Sequence, residues 1–138
     1  KYHFDGIDPL KFDLSKGIAA EKLLKYGCFI DSETVIFNKN MANFIGGFNE
    51  TYKYVLDYDF FLRVAENYSI YCSDDVLSKW RVHSKQATQN MGKIVHIEHI
   101  KVYMDYVNKR QIRFSVKSSL LLIILKNYIK YFFHFILK

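Results

Sequence analysis

A chain of 138 residues, half of them hydrophobic and 17% aromatic, fits one domain with a modest core, and its single proline and 6 glycines exclude collagenous and low-complexity classes. Two isolated cysteines, Cys28 and Cys72, support neither a structural zinc cluster nor a disulfide framework, so a reducing compartment is the default. The net charge of +6 conceals an asymmetry, since residues 1–77 hold 8 Lys and Arg against 12 Asp and Glu while residues 78–138 hold 12 against 2, and the basic half points to an anionic surface.

The opening sixteen residues carry the turn formers Asp5, Gly6, Asp8 and Pro9 and read as loop. Ile18 to Tyr26 sets Ile18, Leu23 and Leu24 against Glu21, Lys22 and Lys25, a short helical pattern that Gly27 ends. Thr34-Val35-Ile36-Phe37 is apolar and β-branched, which predicts a buried strand. Asn38 can cap a helix over Lys39 to Ile45, where Met41, Phe44 and Ile45 fall at helical spacing and Gly46 supplies the positive φ of a helix end.

Asp57 to Asn67 predicts an amphipathic helix with Phe60, Phe61, Val64 and Ala65 on one side. Asp57 then stands at its N-terminus, where unpaired amides and the dipole stabilise a carboxylate, so capping alone accounts for its presence. Short strands are predicted at Ser69 to Cys72 and Val76 to Val82, around a Ser73-Asp74-Asp75 turn. After a polar linker from Ser84 to Gly92, the recurrence of Ile94, Ile97, Ile100, Met104 and Val107 predicts a surface helix over Lys93 to Lys109 with that stripe buried.

Leu120 to Leu137 is apolar over most of its circumference, with a narrow polar stripe of Lys126, Asn127, Lys130, His134 and Lys138. Its longest uninterrupted apolar run, Leu120 to Leu125, falls far short of the ~20 residues a spanning helix requires. The pattern predicts a helix lying in the lipid interface with its lysines reaching the head groups. The other reading is a helix buried against a neighbour, either an absent N-terminal half or a second subunit.

Three motifs follow one another in the span from Gly46 to His83: Gly46-Gly47-Phe48, then Leu56-Asp57-Tyr58-Asp59-Phe60-Phe61-Leu62-Arg63, then Trp80-Arg81-Val82-His83. That order resembles the second half of the GT-A inverting glycosyltransferases of family 2, and the resemblance covers roughly Phe29 to Ser84. It implies an α/β fold: the C-terminal, acceptor-side part of a Rossmann-like GT-A domain over residues 1–89, with a remnant sheet from Thr34 to Val82, followed by a helical extension over 90–138. The chain opens on Lys1, and nothing like a nucleotide-binding unit precedes the motifs, so it reads as a fragment expected to be inactive alone.

The resemblance also implies roles. Asp57 would be the base that takes the proton of an acceptor hydroxyl. Gly46 and Gly47 would let backbone approach the donor sugar or the acceptor, because no Cβ intervenes. Arg63 and Arg81 would brace the cleft by two-point clamping, Arg63 by orienting a buried carboxylate. Trp80 would stack on a sugar face or close the core. His83 would complete a site for Mn²⁺ or Mg²⁺ whose main acidic ligands lie in the missing N-terminal half.

Leu56 departs from the family pattern, which has an acidic residue before Asp57, and this puts acceptor contacts in question. Asp59 faces away from Asp57 by about 160° on a helix and is no second catalytic carboxylate. Asp74-Asp75 reads as solvated turn chemistry.

The partners implied are a nucleotide-sugar donor, a glycan or lipid-linked acceptor and an anionic membrane surface, with the protein in the cytoplasm on the inner face of a bacterial cell membrane, in cell-surface polysaccharide synthesis. Nucleic acid is not expected, because no helix-turn-helix, zinc-finger or RNP-like motif is present. A non-catalytic membrane-associated module derived from the same scaffold is the alternative.

Overall fold

Gly17 and Gly27, at φ of 80° and 81°, bracket the first helix, α1 (Ile18–Tyr26), on either side. Its Ala19, Ala20, Leu23 and Leu24 are buried at i, i+1, i+4 and i+5, the spacing of one helical face. That face packs on a second long helix, the 12-residue segment Leu56–Asn67, through its buried Tyr58, Leu62 and Ala65. The Gly17 N–H donates to the Ala65 carbonyl at 2.8 Å and the Tyr58 hydroxyl donates to the Leu23 carbonyl at 2.9 Å. The start of one helix therefore meets the end of the other, and the pair is antiparallel. Nine residues are too few for a stable isolated helix, so burial of Leu23 and Leu24, worth about 1.5–3 kcal/mol each, carries α1 rather than intrinsic propensity.

The computed structural model describes residues 8–76, 78–79, 81, 92–108, 117–118, 120–126 and 128–129. They fall into two compact units, one drawn from Lys1–Thr51 and Leu56–Arg81, the other from Tyr52–Val55 and Val82–Lys138. In chain order the helices are α1, α2 (Lys39–Phe44), α3 (Leu56–Asn67) and α4 (Gly92–Asn108), and residues 117–118, 120–126 and 128–129 are also helical. Short 3-10 turns occupy Pro9–Lys11 and Ser32–Thr34.

The described residues contain no strand, which overturns the α/β, Rossmann-like expectation and its remnant sheet. Thr34 ends a 3-10 turn, and the extended backbone after it (Val35 at φ −95°, ψ 131°) joins no ladder among the described residues, with Ile36 96% exposed. Among the described residues Ser69 and Ile70 make isolated bonds and no ladder, the Ile70 N–H donating to the Leu14 carbonyl at 2.9 Å and the Ser69 hydroxyl accepting from the Lys16 N–H at 3.2 Å. β-Branched side chains favour extended dihedrals, but a strand exists only where a second backbone supplies a ladder. Val76, 90% exposed, and Tyr71, 94% exposed, likewise lie in no sheet among the described residues, while Leu77, Trp80 and Val82 of the second expected strand fall outside them.

In the second unit, α4 buries Glu98, Ile100, Val102, Tyr103 and Tyr106, while Ile94, Ile97 and Met104 are exposed. Of the expected stripe Ile100 is inside and Val107 half-buried, whereas Ile94, Ile97 and Met104 are not buried. Glu98 points inward because its Oε1 accepts the Lys53 N–H at 2.8 Å and its Oε2 accepts those of Tyr54 at 2.8 Å and Val55 at 3.2 Å. The Tyr52 hydroxyl adds a bond to Asp105 Oδ2 at 3.3 Å.

Candidate functional site

The site is built in the first unit, around α3. The first turn of a helix has backbone N–H groups without intrahelical partners, and α3 opens Leu56-Asp57-Tyr58-Asp59. Asp57 is half-buried there. Its Oδ1 accepts the Tyr58 N–H at 2.7 Å and its Oδ2 accepts the Ser32 hydroxyl at 2.7 Å. Ser32 is held in a 3-10 turn closed by Thr34, whose N–H and hydroxyl both donate to the Asp31 carbonyl, at 2.9 and 2.8 Å. A carboxylate has about four acceptor positions. Among the described residues Ser32 and Tyr58 take up two of them.

Cys28 lies close enough to feel the charge of Asp57. Burial pushes its thiol up to about 12, opposed by hydrogen bonding from the Ile30 backbone and reinforced by the carboxylates of Asp57 and Asp31; the protonated thiol itself donates weakly to the Ile30 carbonyl at 3.5 Å. Because the folded value exceeds the unfolded one, the corresponding stability is complete below the ordinary thiol value of 9.0 and is lost as pH rises from there towards about 12. Two results are expected: iodoacetamide at about pH 8 modifies exposed Cys72 faster than half-buried Cys28, and Cys28→Ala flattens the alkaline loss of stability. Equal labelling of the two thiols in the folded protein would count against this environment.

Asp59, two residues on, is buried and serves structure. Arg63 Nε and Nη2 donate to its Oδ2 at 2.9 and 2.7 Å, and Nη1 donates to the Ile45 carbonyl at 2.7 Å. Arg63 therefore holds a buried carboxylate and the end of α2 together. That end is a Schellman motif: the Gly47 N–H donates to the Ala42 carbonyl at 2.8 Å and the Gly46 N–H to the Asn43 carbonyl at 3.1 Å, with Gly46 and Gly47 at φ of 87° and 65°. Phe48, delivered by this turn, lies 4.6 Å from the ring of Phe60 on α3. The glycine pair and Asp57 are thus both mounted on α3, one through Arg63 and Phe60, the other directly.

Arg81 is exposed. Trp80 and His83 lie outside the described residues, as do Asn127, Lys130, His134 and Lys138 of the C-terminal stripe. Asp74 and Asp75 are exposed, and Asp75 exchanges hydrogen bonds with Ser73, its Oδ2 accepting the hydroxyl at 2.7 Å and its N–H donating back at 3.2 Å. Among the described residues no group of three or more His, Cys, Asp or Glu could hold a metal ion. Those residues do not make a cation site.

Ser32 and Cys28 are the members that motif reading leaves out. Ser32 stands 25 positions before Asp57, and the Asp31-Ser32-Glu33-Thr34 run signals only a polar turn. No family model, no curated protein and no solved structure matches this chain.

Proposed function

We propose that this chain is the acceptor-side part of an inverting family 2 glycosyltransferase that moves a sugar from a nucleoside-diphosphate donor to a hydroxyl of a glycan or lipid-linked acceptor. The observation that carries the reading is Asp57, a half-buried carboxylate on the first turn of α3, held by Ser32. The order of the three motifs around it supports the same reading.

Asp57 takes the proton of the acceptor hydroxyl as that oxygen attacks the anomeric carbon. The new C–O bond forms on one face of the sugar while the bond to the diphosphate breaks on the other, and the nucleoside diphosphate leaves with the electron pair. The Gly46-Gly47 turn offers backbone unobstructed by a Cβ. Arg63 acts indirectly, by fixing that turn to α3. The divalent cation implied by the resemblance would draw its acidic ligands from outside the described residues, and no step is assigned to it.

The test is release of nucleoside diphosphate by the native protein from a panel of uridine-, thymidine- and guanosine-diphosphate sugars, with host glycolipid extract as acceptor. Acceptor-dependent release from at least one donor is expected. No release from any of them would transfer the assignment to the second reading, a non-catalytic membrane-associated module, which Leu56 in place of an acidic residue before Asp57 favours.

A further inference from the structure

In the second unit the helical residues 117–118, 120–126 and 128–129 have two distinct apolar sides. Leu120 and Ile124 are buried, at 0% and 6% exposure. Leu121, Leu122, Leu125, Tyr128 and Ile129 are each about half exposed, between 47% and 60%. A helix turns about 100° per residue, so these five occupy one arc of about 120°, and exposed Lys126 falls about 40° beyond its edge. Scattered exposed leucines are ordinary, whereas five apolar side chains on successive turns of one face form a contiguous patch that marks an interaction surface.

We propose that this face docks on an anionic lipid surface, with the helix lying in the plane of the interface. Charge selects lipid over a protein neighbour: residues 78–138 hold 12 Lys and Arg against 2 Asp and Glu, so the stretch that displays the patch is attracted to acidic head groups. Among the described residues no helix is long and apolar enough to cross a membrane. Five half-exposed apolar side chains are the portion that enters the acyl boundary, and Lys126 at the rim reaches back to the phosphates. The inference stands on the second unit alone and does not rest on sugar transfer.

Flotation of the native protein with vesicles of phosphatidylcholine containing about a third phosphatidylglycerol tests it, with pure phosphatidylcholine and 0.5 M salt as comparisons. Strong flotation is expected with the anionic vesicles, falling severalfold with neutral ones or at high salt as about 8 Å of screening length shrinks further. The double variant Leu122→Glu/Leu125→Glu removes two exposed side chains, and its far-UV circular dichroism should match the parent while its binding drops more than tenfold. Absence of flotation with anionic vesicles, or equal flotation by the double variant, overturns the proposal. So does a dimer in light scattering that the same double variant splits, because the face would then belong to a second copy.

Discussion

Asp57→Asn is expected to lower the turnover of the native protein by about a hundredfold to ten-thousandfold while leaving the donor KM within about twofold, the signature of a lost general base. The substitution is nearly isosteric. The amide oxygen can still accept the Ser32 hydroxyl or the Tyr58 N–H, each now at 2.7 Å, so α3 has little reason to refold. What disappears is the capacity to accept a proton from the acceptor hydroxyl. Asp59→Asn is the internal control, because it removes the charge that Arg63 engages and should reduce stability first, with activity following stability. Unchanged turnover in Asp57→Asn, with transfer present in the parent, would remove Asp57 from the mechanism and leave its carboxylate a local helix-end device.

Those two carboxylates show what could be read from the linear sequence. Asp57 was legible as a helix N-terminal carboxylate because the apolar period of Phe60, Phe61 and Ala65 begins beside it, and helix starts are decided locally. Its partner Ser32 was not, since a contact across 25 residues leaves no local trace. The bounds of α1 and the stop after α2 were legible for the same local reason, as glycines at positive φ punctuate both.

The strand expectation at Thr34 to Phe37 failed where propensity speaks of dihedrals and a sheet depends on a second backbone, which the described residues do not provide. The face of α4 was legible only in part, Ile100 being inside as expected, for a related reason. Hydrophobicity ranks Ile94, Ile97 and Met104 above a glutamate, yet Glu98 is inside, drawn by amides 43 to 45 positions earlier in the chain. Periodicity identifies a helix, while distant polar partners choose which side of it is buried.

Glu98→Ala is accordingly expected to destabilise the second unit by about 3 kcal/mol, since it removes three charge-assisted hydrogen bonds at once and leaves buried donors behind. The cost is uneven. Lys53 is exposed, and water can replace the carboxylate at its N–H; Val55 is 2% exposed, so its N–H would be left without an acceptor. Glu98→Gln keeps one acceptor oxygen but turns an amide donor towards a backbone donor, and about half the loss is expected from it. Urea denaturation gives the stability change, and hydrogen exchange at residues 53–55 gives its location. Protection at Val55 should fall most in the alanine variant. A midpoint unchanged from the parent, with protection intact at all three amides, would mean that Glu98 is buried for its packing and that the three bonds contribute nothing net.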